Sequence, residues 1–143
     1  MTMAKEQSLR LYTDGASRGN PGEAGAGIVV LDDRGREMIA QGKYLGTCTN
    51  NVAEYQALLL GLTEASRIGD GTIDIFLDSQ LIVRQIQGVY RVKSSDLQPL
   101  FAQVKELLSS FADFTVSHIP REQNKRADQL ANQGIDNRFG VGA

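Results

Sequence analysis

Four carboxylates in this chain stand where ordinary structure gives them little reason to be. Glu54 precedes Ala57, Leu58, Gly61, Leu62 and Ala65 by 3, 4, 7, 8 and 11 residues, so on a helix it shares the apolar stripe that should face a core. No Lys or Arg stands three or four residues away on either side to neutralise it. Asp14 and Asp78 each end a stretch of strand-like alternation, on the face opposite Leu9 and Leu11 in one and Ile73, Ile75 and Leu77 in the other. If those strands are adjacent and parallel, both side chains emerge at carboxyl ends, where open α/β sheets place ligands. Asp128 falls in the first turn of a helix, beside Ala127 and Ala131. Taken singly, each has a structural explanation as a turn, a cap, a dipole partner or, for Glu54, half of a distant buried ion pair. Taken together they describe a site. Two carboxylates about 4 Å apart repel by on the order of 4 kcal/mol at an effective dielectric near 20, so convergence demands protonation or a cation. Oxygen-only ligands select the hard ions Mg²⁺ or Mn²⁺ rather than zinc. Two such ions about 4 Å apart are the usual machinery for in-line attack of water on a phosphodiester.

The elements that must position these residues can be read from the periodicity. Residues 9–14 alternate as a strand, and a glycine-rich segment at 15–27 reads as a long turn. Residues 26–31 and 38–44 form two further strands about the turn at 33–35, which gives an antiparallel meander. Helical period then covers 51–68, a strand 72–78, a short helix 79–87 closed by Gly88, and a helix 96–110 with Pro99 in its first turn. A fifth strand at 114–119 and a last helix at 124–135 complete the order βββαβααβα. That order predicts a mixed α/β layer fold in which helical crossovers bring parallel strands against the meander. One domain is expected over residues 9–135, between a flexible N-terminus at 1–8 and a flexible tail at 136–143.

Composition narrows the class. The 143 residues are 41% hydrophobic and 22% charged, enough for a self-sufficient core without metal or disulfide staples. A lone Cys48 excludes an intramolecular disulfide and points to a reducing compartment. No run approaches the ~18 apolar residues of a membrane span. A cytoplasmic monomer with no membrane partner is the expectation. The formal net charge of −2 at first argues against a polyanionic partner. Assigning four of the acids to metal reverses that inference, since the remainder is then mildly cationic.

At this point four blocks become recognisable. Tyr12-Thr-Asp-Gly-Ala-Ser-Arg-Gly-Asn-Pro-Gly22, Thr49-Asn-Asn-Val-Ala-Glu54, Leu77-Asp-Ser-Gln80, and His118 followed by Asn124-Lys-Arg-Ala-Asp-Gln-Leu-Ala131 together resemble type 1 ribonuclease H. The resemblance runs from about Leu9 to Gly134. It implies a ribonuclease H-like α/β fold, a five-stranded mixed sheet flanked by helices. It also implies an endonuclease that cuts the RNA strand of RNA–DNA hybrids, leaving 5′-phosphate and 3′-hydroxyl ends. Asp14, Glu54, Asp78 and Asp128 match the family's metal-binding catalytic tetrad for two Mg²⁺ ions, which Mn²⁺ would be able to replace. His118 matches the mobile histidine thought to assist proton movement or product release, although the Ile-Pro-Arg-Glu-Gln after it departs from the usual Gly/His-rich loop. Asn20, Asn50, Asn51 and Gln80 match positions that touch the minor groove or sugars, where amides suit 2′-hydroxyls because they both donate and accept.

Thr49 matches part of a pocket for a phosphate of the DNA strand. The family often adds an Arg and an Asn to that pocket, where this chain has Thr47 and Ser94. Many members insert a Trp- and Lys-rich helical handle between Gly88 and Asp96, and this chain has only Val-Tyr-Arg-Val-Lys-Ser-Ser. The chain therefore resembles a handle-less variant, with Arg84, Arg91 and Lys93 as a smaller basic patch and a light, salt-sensitive hold on its hybrid. Double-stranded RNA is a second candidate partner. Two other readings are weaker. A non-catalytic hybrid- or RNA-binding module would not need all four carboxylates, and the phosphate loop of an actin-like ATPase would need a second domain. The glycines also lack dinucleotide-site spacing, and no Walker A sequence occurs.

Overall fold

The computed structural model describes residues 8–138. The expected flexible ends lie largely outside the described residues, but Ser8 already opens the first strand and Asp136 closes the last helix. The elements are β1 (Ser8–Gly19), β2 (Gly22–Leu31), β3 (Glu37–Cys48), α1 (Asn50–Ile68), β4 (Thr72–Leu77), α2 (Gln80–Ile86), α3 (Gln98–Leu108), β5 (Asp113–His118) and α4 (Lys125–Asp136). A short 3₁₀ turn at Arg121–Gln123 leads into α4. The five strands form one mixed sheet in the order β3-β2-β1-β4-β5. β1 pairs antiparallel with β2 and parallel with β4, and β5 extends the parallel half. Among the described residues, no helix is long and apolar enough to cross a membrane.

The odd-numbered face of β1 meets α1. Leu9 and Leu11 join Ile73, Ile75 and Leu77 of β4, Leu58 and Leu62 of α1, and Val104 and Leu108 of α3 in one buried core. The buried Tyr55 hydroxyl donates to Gln85 Oε1 at 2.7 Å, which ties α1 to α2 inside that layer. α1 begins where Thr49 accepts from Val52 N at 3.3 Å, which makes Thr49 its capping residue. α4 packs on the opposite face, over β2 and β3.

The glycine-rich segment is not a long turn. β1 runs on to Gly19 and β2 begins at Gly22, so the reversal is confined to Asn20 and Pro21, joined by a cis peptide bond. The glycines answer to helices that arrive much later in sequence. A Cβ on Gly15 would lie 2.2 Å from the carbonyl carbon of Ala53 in α1, and one on Gly27 would lie 2.0 Å from the carbonyl oxygen of Ala127 in α4. Only a residue without a side chain lets these backbones approach the sheet so closely.

Candidate active site

Strand register brings the first two carboxylates together. Tyr12 pairs with Phe76 across the parallel β1–β4 ladder, and their rings stack at 4.9 Å. Two residues further on, where side chains return to the same face, stand Asp14 and Asp78. Glu54 arrives from α1, whose close approach at Gly15 lets the Gly15 N–H donate to Glu54 Oε1 at 3.1 Å. Carboxylate oxygens of Asp14, Glu54 and Asp78 all lie within 4.8 Å of one another. Asp128, from the first turn of α4, lines the same open cleft of about 450 Å³, with Gly15, Ala16, Ser17, Asn50 and Arg121. It stands outside the tight group of three.

The electrostatics are those of crowded acids. Asp14 is 5% exposed, and its pKa is pushed up to about 10 by burial, by the Glu54 charge and by the hydrogen bond its protonated carboxyl gives Asp128. Burial first, and then the charge of Asp78, push Glu54 up to about 8, against the lowering effect of the Gly15 N–H. The donor set fits a hard divalent ion. Asp14, Glu54 and Asp78 each offer a carboxylate oxygen and would hold such an ion between them. All donors are oxygens, and no sulfur or imidazole competes among the lining residues.

A pH dependence follows for protein held in EDTA. Both carboxyls keep their protons in the folded state to higher pH than in the unfolded chain. The stability this gives is complete below the ordinary carboxylate pKa near 4 and is lost as pH rises through about 8 for Glu54 and about 10 for Asp14. The melting temperature in EDTA should therefore fall between pH ~5 and ~9, and saturating Mg²⁺ should flatten the decline. Thermal melts across that range check it; a metal-free melting temperature that rises toward pH ~9 would contradict the crowding.

The remaining sequence-predicted residues divide into groups. Asn20, Thr49, Asn50, Asn51 and Ser94 line a second cleft of about 410 Å³ with Val52, Asp96 and Leu97. Asn50 belongs to both clefts, and its backbone N–H donates to Asn20 Oδ1 at 3.0 Å. His118 is exposed at the end of β5, opposite Leu77, and does not line the acidic cleft. Gln80 is exposed at the first position of α2 and lines neither cleft. Arg84, half-buried, holds its guanidinium 5.9 Å from the centre of the Tyr90 ring, beside the exposed Leu81, Val89 and Tyr90.

Two residues at the site escaped sequence reasoning. Arg121 faces the carboxylates from the 3₁₀ turn. Asn124, 1% exposed, donates from Nδ2 to Thr13 O at 2.9 Å and to Asp78 Oδ2 at 3.3 Å, and so holds the start of α4 to both strand ends. Irregular backbone carries both, and no periodicity announces it.

Comparison with known proteins agrees with this geometry. Residues 12–134 match the family model described as reverse transcriptase-like. The chain is 41% identical over 128 residues to the ribonuclease HI of Halobacterium salinarum, covering 90% of this chain and 64% of that protein. It spans just 35% of the length of a bifunctional protein of Mycobacterium tuberculosis, to which it is 42% identical. A ribonuclease H of Chromobacterium violaceum is 32% identical, with 94% of this chain and 99% of that protein covered. Among solved structures, LC11-RNase H1 in complex with an RNA/DNA hybrid superposes with a TM-score of 0.87 at 42% identity, over 92% of this chain and 99% of that one. With its β3-β2-β1-β4-β5 sheet and an acidic group at the carboxyl ends of β1 and β4, the chain belongs to the type 1 ribonuclease H family.

Proposed function

We propose that this chain is an endoribonuclease that hydrolyses the RNA strand of RNA–DNA hybrids, using two Mg²⁺ ions and leaving 5′-phosphate and 3′-hydroxyl ends. The observation that carries the reading is the meeting of Asp14, Glu54 and Asp78 within 4.8 Å in an open cleft walled by Asp128. These four side chains would hold the ions, and when bound such a pair supplies an activated water and stabilises the leaving oxygen of a phosphodiester. The protein's own part is placement. Asn124 fixes Asp78, and the Gly15 N–H fixes Glu54.

The second cleft would take the hybrid. Asn50 joins it to the acidic one, so a duplex laid across the start of α1 would meet Asn20, Asn50 and Asn51 in its minor groove and Thr49 and Ser94 at a phosphate. The first turn of α1 carries no acidic residue, which favours an anion there. Asp96 in the same cleft opposes one, in keeping with a light hold. Arg84, Arg91 and Lys93 would add backbone contacts, and Gln80 and His118 would reach the duplex from the rim.

A cleavage assay on matched RNA–DNA, RNA–RNA and DNA–DNA duplexes with Mg²⁺ or Mn²⁺ tests the proposal. The RNA of the hybrid should be cut, DNA left intact, and EDTA should stop the reaction. Cutting of RNA–RNA would widen the substrate class. No cleavage of the hybrid would overturn the nuclease reading in favour of a binding module.

A further inference from the structure

We propose that Asn132, set in place by Arg18, is a positioning residue for the Asp128 carboxylate. The inference rests on the nuclease reading above. Of the four acids, Asp128 alone lies outside the tight group, half-buried in the first turn of α4, where the one strand residue that reaches it is Asp14, another of the acids. Asn132 stands one turn further along α4. Its Nδ2 donates to the Asp128 carbonyl at 3.0 Å and to Asp128 Oδ1 at 3.4 Å. An amide can do this only if its nitrogen faces Asp128, and an Asn is free to flip. Arg18 removes that freedom. Its guanidinium donates to Asn132 Oδ1 at 3.1 Å while pairing with Asp136 at 2.9 Å, so the amide oxygen is claimed and the nitrogen must face the carboxylate.

Asn132 thus holds Asp128 Oδ1 from the side of α4, while the hydrogen bond from the Asp14 carboxyl reaches Asp128 from the cleft. The Arg18–Asp136 pair is exposed and contributes little stability of its own, so its value lies in orientation. It also joins two parts of the molecule. Arg18 sits at the end of β1, two residues before Asn20 of the second cleft. The hairpin that would touch the hybrid thus also sets a ligand of the acidic site.

The test compares the unmodified protein with Asn132→Ala, Arg18→Met, the double variant, and Asn132→Ala placed in an Asp128→Asn background. Cleavage is measured against Mg²⁺ and hybrid concentration, and the rise in melting temperature on adding Mg²⁺ is measured with no hybrid present. Asn132→Ala should raise the half-saturating Mg²⁺ about tenfold, as loss of a residue that orients a metal ligand does, with KM for the hybrid unchanged. Arg18→Met should act in the same direction but less, and the double variant should be no worse than Asn132→Ala, because Arg18 acts through it. In the Asp128→Asn background Asn132→Ala should leave the Mg²⁺-induced rise as it was. An undiminished rise in Asn132→Ala itself would overturn the proposal, as would an Arg18→Met effect confined to KM and additive with Asn132→Ala. If the unmodified protein shows the rise but cuts no hybrid, the nuclease reading fails, and the melts still decide the role of Asn132.

Discussion

Asp14→Asn is expected to abolish cleavage of the hybrid and, in EDTA, to make the protein melt at a higher temperature. The two effects have one origin. Asp14 is nearly sealed from water, faces Glu54, Asp78 and Asp128, and holds its proton up to about pH 10. At pH 7 the unfolded chain carries an ionised Asp14, so folding without metal must take up a proton at a cost of a few kcal/mol. Asparagine keeps the shape and is neutral from the start. At ~2–4 °C per kcal/mol for a chain of this size, the gain should be roughly 5–10 °C. The same change removes a ligand from the centre of the acidic group, and loss of one member of such a unit lowers the rate by at least ~1,000-fold. Thermal melts with and without Mg²⁺, beside the cleavage assay, check both parts. A melting temperature in EDTA that is unchanged or lower would show that the carboxylates do not oppose folding.

Gly27→Ala should damage the protein as severely by another route. The added methyl would lie 2.0 Å from Ala127 O and 2.6 Å from Ala131 N, both backbone atoms of α4. Neither can swing aside as a flexible side chain would, so the helix must lift from the sheet. Asp128 stands beside Ala127 and moves with it. Overpacking of this kind costs about 3 kcal/mol or more, which corresponds to a fall of roughly 10 °C in melting temperature, and Mg²⁺-dependent cleavage should be lost with it. Gly35→Ala serves as the control. Its φ of +79° disfavours alanine, but nothing lies within 4 Å of the added carbon, so only about 1–2 kcal/mol is at stake. A Gly27→Ala protein that melts no lower than the Gly35→Ala control would refute the close-approach account.

The contrast between these residues shows what the chain discloses before it folds. Glu54, Asp14 and Asp78 betray themselves locally, the first by sitting on an apolar stripe and the others by closing strands on a polar face. Asp14 and Asp78 converge through the register of β1 against β4, which the sequence left conditional on those strands being adjacent and parallel, and Glu54 joins them from α1. The glycines of β1 and β2 mislead for the opposite reason. Glycine within a few residues of Pro21 suggests a turn, whereas Gly15 and Gly27 are fixed by α1 and α4, which local sequence cannot show. Asn124, Arg121 and Asn132 stay hidden because their meaning lies in single hydrogen bonds and facing charges across the fold. Asn132 in particular looks like any exposed helical amide until Arg18 is seen beside it. Thr49 and Asn50 could each cap α1 by type, and only the bond from Val52 N to Thr49 separates them.

The position of β1 at the centre of the sheet bears on how the protein comes to exist. Its antiparallel partner β2 follows at once in the chain, but its parallel partner β4 pairs Thr72 with Ser8, and β5 then pairs His118 with Leu77. Contacts this distant in sequence form slowly, because chain entropy is lost before they give any return. The meander can assemble from neighbouring residues, yet it contains only one of the four acids. A chain that has made its hairpins and not its crossovers therefore has no metal cluster. The proposed nuclease chemistry would arrive only with the complete topology, and a copy that has made only its hairpins would leave nucleic acid uncut.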